Sequence, residues 1–230
     1  MRPWLSIVMP VLDEGAVLPA ALQALALWRG AGAELIVVDG GSSDDSLRYA
    51  QEGADLVLLA PRGRAAQMNA GAARARGHWL LFLHADTRLP EQGLAALSRL
   101  GPQALWGRFE VRIDDPDPML AAVSRMMNLR SRWTGMATGD QAMFVRRQVF
   151  TQVGGFPDMA LMEDLALSRK LKSLAPPVCL QPAVLTSPRR WRTHGIWRTI
   201  GLMWRLRAAY FLGADPDDLA RQYGYRPRGR

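Results

Sequence analysis

Short apolar runs alternate with helix-periodic segments along the first hundred residues. Mostly apolar runs of strand length occur at four places, residues 5–9, 35–38, 56–59 and 79–83. After the first run, apolar residues recur every three or four positions and predict a helix: Leu18, Leu22, Leu25 and Trp28. This alternation is typical of βαβ units, so the sequence predicts an α/β fold with helices flanking a mostly parallel central sheet.

Three further helices are expected between and after these runs. Ser42, with Asp45 three residues on, predicts a capped helix that continues to about residue 52. An Ala-rich helix is expected over residues 64–76, and Pro90 is expected to open a helix that continues to about residue 100.

The pattern in the second half of the chain is less regular. Residues 109–113 alternate between apolar and charged side chains, which predicts a half-exposed strand and hence an antiparallel element on the sheet. Four more elements are expected: helices at 119–133, 147–153 and 163–174, and a short strand at 142–145. No change in composition marks a second domain before about residue 187.

The C-terminal segment has a pattern of its own. Over residues 196–212 one helical face carries a set of mostly large apolar side chains: Trp197, Ile200, Trp204, Ala208 and Phe211. Arg198 and Arg205 lie beside this face, and Arg207 interrupts it. The segment is too short and too charged to span a bilayer, but tryptophan with arginine suits an anionic membrane interface; packing on the main domain is the alternative. We therefore expect a domain at 1–191 and a basic amphipathic helical tail at 192–230.

The charge distribution changes the meaning of the basic composition. The 230 residues include 29 Lys+Arg against 21 Asp+Glu, a formal charge of +8 with pI about 10.6. Residues 1–186 hold 19 basic and 18 acidic side chains, whereas residues 187–230 hold 10 and 3. Because the excess lies in the tail, nucleic acid is not an expected partner of the main domain.

Cysteine content and the N-terminal residues indicate the compartment. Cys179 is the one cysteine, so an intrachain disulfide framework is excluded. The first residues lack the apolar run and cleavage site of a signal peptide. A cytoplasmic location is expected, with peripheral association at the inner face of the cell membrane if the tail binds lipid.

Acidic side chains follow three of the predicted strands. Asp13 and Glu14 follow the first strand, Asp39 ends the second, and Asp86 follows the fourth. The carboxyl ends of parallel strands lie at one edge of a sheet, where ligands bind. Several carboxylates at one edge repel each other unless a cation or hydrogen-bond donors lie among them. The sequence has neither the dinucleotide-binding glycine pattern nor a P-loop, so phosphate would be held through a metal ion or arginines.

Four segments resemble family 2 glycosyltransferases in order and spacing: SIVMPVLDE (6–14), VVDGGSSD (37–44), LHADT (83–87) and MEDLALSRKL (162–171). The resemblance covers roughly residues 4–191 and implies a GT-A fold. The His-Ala-Asp-Thr and Gly-Asp-Gln variants are most similar to a bacterial subgroup encoded beside radical-SAM or arsenosugar biosynthesis genes.

The resemblance implies a nucleotide site at the ends of the first two strands. Pro10, Val11 and Glu14 would flank the base and ribose, and Asp39 would accept a hydrogen bond from the base. The implied nucleotide-binding set also includes Asp44 and Arg64. For Asp39 and Asp44, turn formation and helix capping remain the alternative.

The resemblance also implies a divalent metal ion, Mg or Mn. His84-Ala85-Asp86 occupies the place of the family's metal-binding Asp-x-Asp, so Asp86 matches a metal ligand while His84 departs from the pattern. One carboxylate together with substrate phosphates is sufficient for Mg. His84 is left open between a metal ligand and a residue that faces the sheet.

Glu163 and Asp164 resemble the family's catalytic acidic pair. Asp164 would take the proton from the acceptor hydroxyl in an inverting transfer, with Glu163 beside it; the alternative is that both occupy a first helical turn, where the helix dipole favours acids. Six further residues are expected to bind donor or acceptor: Gly139, Asp140, Gln141, Arg189, Arg190 and Trp191. Ser187 stands where processive relatives have glutamine, which argues against a polymerase.

The sequence therefore predicts a sugar transferase that uses a UDP- or GDP-sugar and a small-molecule or lipid-linked acceptor. A GT-A-like nucleotidyltransferase is an alternative, although its loop after the first strand would be Gly-rich and basic rather than acidic. A non-catalytic basic binder of membrane or nucleic acid is the other alternative, and the nearly neutral residues 1–186 argue against it.

Overall fold

The computed structural model describes residues 2–225. In this range the strands are Leu5–Val11 (β1), Ala33–Asp39 (β2), Leu56–Leu59 (β3), Trp79–Phe82 (β4), Thr87–Arg88 (β5), Trp106–Ile113 (β6), Phe144–Arg146 (β7) and Val178–Thr186 (β8). The α-helices are Leu18–Ala24 (α1), Ala26–Gly30 (α2), Ser46–Gly53 (α3), Arg64–Arg74 (α4), Glu91–Ser98 (α5), Pro118–Thr134 (α6), Arg147–Gln152 (α7), Glu163–Lys172 (α8), Arg189–His194 (α9), Ile196–Phe211 (α10) and Pro216–Tyr223 (α11). Residue 1 and residues 226–230, at the ends of the two predicted regions, lie outside the described residues.

The strands form one mixed sheet in the order β3-β2-β1-β4-β7-β6-β8-β5. Strands β3, β2, β1 and β4 are parallel, β7 runs antiparallel to β4 and β6, and β8 is parallel to β6. The predicted α/β fold, with a mostly parallel sheet and an antiparallel element, is confirmed.

The central strands are buried on both faces, which explains their continuous apolar sequences. On β1, Ile7 and Met9 face one core cluster that includes Leu18 of α1. Val8 faces the opposite cluster, where it packs with Met68 of α4. A two-sided core of this kind fixes the strand register and holds the strand ends at one edge.

The prediction that residues 109–113 form a half-exposed strand is wrong. In β6 the side chain of Glu110 is buried, and only Arg112 is exposed. The Oε1 atom of Glu110 accepts hydrogen bonds from Arg108 and Arg132 at 2.7 and 2.9 Å, which compensates for burying the carboxylate. Alternation of charge therefore marked an internal ion pair covered by α6 rather than a solvent-facing side of the strand.

The predicted Ser42 helix cap is also wrong, because α3 begins at Ser46. Ser42 instead donates to the carboxylate of Asp39 and accepts from the backbone N–H of Asp13. The helix predicted after β1 is interrupted at Leu25, which separates α1 from α2. Strand β8 and helix α11 were not predicted, since residues 178–186 lack clear alternation and residues 216–223 are largely polar.

Helix α10 packs on the sheet domain through a face other than the apolar one expected from the sequence. Leu206 is fully buried in a cluster with Met136 and Leu165. The side chains of Trp197, Trp204 and Phe211 are 72%, 67% and 61% exposed. None of the helices within residues 2–225 combines the length and apolar character that a bilayer crossing requires.

Candidate functional site

Acidic side chains fasten the turns that follow β1 and β2 to each other. Asp13 Oδ1 accepts from the backbone N–H of Ser43 at 2.7 Å. Asp44 accepts from the backbone N–H groups of Gly15 and Ser46 at 2.8 and 2.9 Å. Asp39 accepts from the N–H groups of its own turn, at Gly41 and Ser42. The structure thus gives Asp39 and Asp44 turn-forming contacts, and their direct contact with a nucleotide stays a prediction.

Gln67, on α4, holds the ends of these two strands at a fixed separation. Its Nε2 donates to the carbonyl oxygens of Val11 and Val38, each at 2.8 Å, and its Oε1 accepts from Gly63 N at 3.3 Å. A buried amide with its hydrogen bonds satisfied forms a rigid floor beneath the strand ends. Sequence reasoning missed Gln67, because a glutamine in an Ala-rich helix carries no periodic signal.

A cavity of about 310 Å³ opens above this floor, at the low end of small-molecule sites. Six residues of the predicted nucleotide, metal and donor sets line it together with His84: Pro10, Val11, Glu14, Arg64, Asp86 and Arg189. Residues not foreseen also line it, among them Arg62, Gly63, Asp158, Met159, Ala160 and Tyr225. Asp39, Asp44, Glu163 and Asp164 are not part of the lining.

Arg189, at the start of α9, bridges two of the acidic groups in this cavity. Its guanidinium donates two hydrogen bonds to the Glu14 carboxylate, at 2.8 and 3.0 Å. The same group lies 3.8 Å from Asp86 Oδ2. A guanidinium in bidentate contact with a carboxylate is well placed to contact a phosphate in the same way.

The acidic pair Glu163-Asp164 begins α8, directly after Met162 in a left-handed backbone conformation (φ 67°). Such a conformation is costly for a residue with a side chain and tends to occur at functional sites. Asp164 Oδ2 accepts from the backbone N–H of Gly139 at 2.8 Å, and Oδ1 accepts from Leu165 N at 2.7 Å. Each oxygen keeps a lone pair that can accept a proton.

The 3₁₀ turn Gly139–Gln141 connects this acidic pair to the loop after β4. A Cβ atom at Gly139 would lie 2.5 Å from His84 Cε1, so only glycine permits this approach. Asp140 Oδ1 lies 3.6 Å from His84 Nδ1. The structure therefore links Asp164, the 139–141 turn, His84 and Asp86 in one continuous arrangement along the edge of the sheet.

Burial and neighbouring charges set the protonation of this arrangement. Burial, with the adjacent Asp164 carboxylate, raises the pKa of Glu163 to about 7. Burial, reinforced by the carboxylates of Asp140 and Glu14, raises the pKa of Asp86. Burial opposes ionisation of Asp140, but His84, Arg64 and Arg207 together hold the pKa of Asp140 below its ordinary value. Ionisable groups perturbed in this way cluster at active sites.

The metal-ligating side chains at the cavity suit a divalent ion that a bound substrate also ligates. Within residues 2–225 no group of three His, Cys, Asp or Glu side chains is arranged to hold a metal ion. Asp86 borders the cavity, and no hydrogen bond of its carboxylate is found among the same residues. A hard ion such as Mg²⁺ or Mn²⁺ is often held by one carboxylate and substrate phosphates. The residues fit a metal shared between Asp86 and a bound diphosphate.

Three residues of the predicted donor or acceptor set have structural contacts instead. Gln141 is fully buried and donates to Asn128 Oδ1 at 3.3 Å. Arg190 stacks on the Tyr223 ring at 3.5 Å and donates to its carbonyl oxygen. Trp191 packs between β6, α6 and α10. Their direct contact with a substrate stays a prediction.

The loop 154–162 forms part of the cavity wall. Asn69, on α4, exchanges two hydrogen bonds with the backbone of Phe156, at 2.8 and 3.0 Å. This contact fixes the loop that carries Asp158, Met159 and Ala160 to the cavity. No sequence pattern connects Asn69 to a loop 87 residues away, so this wall could not be predicted.

The sequence profile described as Glycosyl transferase family 2 matches residues 6–153. A PGL/p-HBAD biosynthesis glycosyltransferase of Mycobacterium bovis is 33% identical over 171 residues, covering 67% of this chain and 63% of that protein. An undecaprenyl-phosphate 4-deoxy-4-formamido-L-arabinose transferase of Pseudomonas aeruginosa is 29% identical over 163 residues, covering 64% of this chain and 48% of that protein. The chain thus spans less than two thirds of the length of these relatives.

Among solved structures, a mannosyltransferase from Pyrobaculum calidifontis, in complex with GDP-Man and Mn²⁺, has a similar fold. Its TM-score is 0.62 at 19% identity, covering 98% of this chain and 70% of that one. This likeness agrees with the GT-A-like arrangement of the mixed sheet and its flanking helices. The match of residues 6–153, which span most of the sheet and the loop after β4, shows that the chain belongs to glycosyltransferase family 2.

Proposed function

We propose that the protein transfers a sugar from a nucleotide sugar to an acceptor hydroxyl, with inversion at the anomeric carbon. The observation that carries this proposal is the attachment of Asp164 through Gly139 to the His84–Asp86 loop that borders the cavity. In the proposed mechanism this attachment would hold Asp164, as the base, close to the leaving diphosphate.

The cavity residues divide the work of binding the donor. Pro10 and Val11 would contact the base and ribose, and Glu14 the ribose hydroxyls. Arg64 and Arg189 would donate to the diphosphate, with Arg189 leaving its bidentate contact with Glu14 to do so. UDP- and GDP-sugars are the donors that the family resemblance implies, and GDP-Man is bound in the mannosyltransferase of similar fold.

In the proposed transfer, the sugar moves in a single displacement without a covalent enzyme intermediate. The acceptor hydroxyl oxygen forms a bond to the anomeric carbon while the bond from that carbon to the diphosphate oxygen breaks. Asp164 takes the hydroxyl proton, and the nucleoside diphosphate leaves with the bonding electrons. A divalent ion, Mg or Mn, held by Asp86 would neutralise charge on the leaving diphosphate.

A screen of UDP- and GDP-sugars, with and without Mn²⁺, tests this proposal. Wild-type protein should show a metal-dependent thermal shift with one nucleotide class and slow release of the corresponding nucleoside diphosphate. The Asp164→Asn variant should keep the shift and lose the release. If no donor shifts the melting temperature and none is cleaved, the proposal fails.

We also propose that the chain belongs to the bacterial subgroup encoded beside radical-SAM or arsenosugar biosynthesis genes.

We also propose that the exposed face of α10, formed by Trp197, Trp204 and Phe211, rests on an anionic membrane surface. These rings are mostly exposed, and Arg198 and Arg205 are exposed on the same helix. Aromatic rings beside cationic side chains suit the headgroup region of anionic lipid. A lipid-linked acceptor would then reach the site from this surface.

Vesicle flotation tests the membrane proposal. The protein should float with phosphatidylglycerol vesicles at low salt and not with phosphatidylcholine vesicles. The double variant Trp197→Ser/Trp204→Ser should remain in solution, whereas Leu59→Ser, at an equally exposed leucine on β3, should float like wild type. Absence of wild-type flotation, or a stable dimer that buries this face, would remove the proposal.

A further inference from the structure

Three arginines from different elements, none of which lines the cavity, lie close enough for their charges to interact, and Arg130 among them also interacts with Asp164. Arg108 belongs to β6, Arg130 to α6 and Arg207 to α10. Leu206, next to Arg207, is fully buried against Leu165, the neighbour of Asp164. This packing brings α10 alongside the first turn of α8 and explains why Arg207 interrupts the apolar pattern of the tail helix.

The guanidinium of Arg130 is only partly paired. The Nε and Nη2 atoms of Arg130 are buried, and neither has a hydrogen-bond partner among residues 2–225. No hydrogen bond or ion pair of the Arg207 guanidinium is found in the same part of the chain. Arg108 donates to Glu110 Oε1 at 2.7 Å, although its Nε is also buried without a partner among the described residues. Buried donors without acceptors destabilise a fold, so the two buried donors of Arg130, close to a candidate base, call for a ligand.

The positive charges of Arg108 and Arg207 add to the electrostatic potential at Arg130. Burial, reinforced by the positive charges of Arg207 and Arg108, lowers the pKa of Arg130 to about 10. The carboxylates of Asp164 and Asp140 oppose this effect. Because guanidinium groups near one another repel, binding of an anion between them is favoured.

We propose that Arg130 and Arg207 bind an anionic group of the acceptor, a phosphate or a carboxylate, and thereby hold its hydroxyl at Asp164. The inference rests on the proposed function, because it assigns the acceptor half of the same site. The paired donors of a guanidinium match the oxygens of a phosphate or carboxylate. The acceptor is favoured over the donor diphosphate because the cavity lining includes Arg62, Arg64 and Arg189 but neither of these two arginines.

Titration with glycerol 3-phosphate and inorganic phosphate, with glycerol as the neutral control, tests the inference by calorimetry. Wild-type protein should bind both anions and not glycerol. Arg207→Gln and Arg130→Met should each weaken anion binding at least about tenfold, the loss expected from one charged hydrogen bond. The matched controls are Arg221→Gln, on the neighbouring α11, and Arg125→Met, on α6; both side chains are exposed and both variants should bind like wild type.

Three further readouts keep the outcome interpretable. Melting temperatures no lower than wild type for Arg130→Met would show that lost binding is not lost folding. The shift produced by UDP or GDP should be unchanged in both arginine variants. Phosphatidic acid vesicles, compared with phosphatidylcholine, show the source of the anion: binding that requires Arg207 indicates a lipid headgroup, and binding of only the free phosphates indicates a soluble acceptor.

Two results would overturn the inference. Equal anion affinity in wild type and in both arginine variants would mean that these side chains do not form the site. Competition between phosphate and UDP or GDP, lost with Arg207→Gln, would assign them to the donor diphosphate. If no nucleotide sugar is bound or cleaved but anion binding still requires both arginines, the proposed function fails while the anion site stands.

Discussion

The arginines that line the cavity differ from Arg130, which lies outside the lining, in how they are paired. In the cavity, Arg189 is bound to Glu14 through two hydrogen bonds, and Arg64 lies 5.1 Å from the centre of the Tyr225 ring. Outside the lining, Arg130 has two buried donors, Nε and Nη2, with no acceptor among residues 2–225. A nucleotide sugar must therefore displace existing contacts of the cavity arginines. An anionic acceptor substrate would instead supply the hydrogen-bond acceptors that Arg130 lacks. In the proposed site, the donor half is already paired in the folded protein, whereas the acceptor half is destabilised by unpaired donors.

The largest effect is expected at the group between the two halves. Asp164→Asn should lower kcat by ~10³-fold, within the range of about 10² to 10⁴ for a general base, while donor affinity stays near wild type. Steady-state kinetics with the donor found in the screen, together with calorimetric titration of the nucleotide, would measure both. Turnover close to wild type would remove Asp164 as the base.

The next effect lies on the donor side. Asp86→Asn should lower kcat/KM by about 100-fold and remove the metal-dependent part of the nucleotide thermal shift, because it removes the carboxylate that would hold the ion. Asp45→Asn, at an exposed carboxylate outside the cavity lining, is the matched control. Retention of full metal dependence in Asp86→Asn would contradict the assignment.

Glu163 links the site to stability through pH. Its pKa is about 7 in the folded protein and 4.5 for an ordinary glutamate, so the folded state binds the proton more tightly. Stability is therefore highest below pH 4.5 for this group and decreases as pH rises from 4.5 to 7. Glu163→Gln should remove this decrease and raise the free energy of unfolding above pH 7 by about 3 kcal/mol relative to wild type. Denaturant unfolding at pH 5 and pH 8 measures it; an unchanged pH profile would exclude a buried, titrating Glu163.

The smallest effect tests the acceptor side. Arg130→Met should raise the free energy of unfolding by about 1 kcal/mol, because it replaces an unpaired, partly buried cation with an apolar side chain of similar length. Arg125→Met, on the exposed side of α6, should leave stability unchanged. Urea unfolding of the two variants decides the matter, and a clear loss of stability in Arg130→Met would show that Arg130 is already satisfied.

The sequence could predict the parallel half of the fold and the acidic groups at its edge. Apolar runs such as residues 35–38 mark strands buried on both faces, and parallel strands bring their ends together. The cavity lining confirms that Glu14 and Asp86 lie near each other. The resemblance to family 2 indicated that Glu14 and Asp86 are candidate site residues, and the fold shows that they lie near each other.

The rest of the site depends on contacts between distant segments. Gln67 joins two strand ends from a helix, and Asn69 fixes a loop 87 residues away. Arg207 comes close to Arg130 because Leu206 packs in one cluster with Leu165. The alternating pattern at residues 109–113 predicts that Glu110 is exposed. Glu110 is buried instead, because Arg108 of β6 and Arg132 of α6 pair with its carboxylate. Tertiary packing, which no local pattern records, determines each of these.

The most direct test is the initial rate of nucleoside diphosphate release from a panel of UDP- and GDP-sugars in the presence of Mn²⁺, measured for wild type and Asp164→Asn side by side. The account predicts that wild type cleaves one nucleotide class and that the variant binds the same donor without cleaving it. Equal release by both proteins, or neither binding nor release with any donor, would contradict the claim that this edge of the sheet transfers sugar.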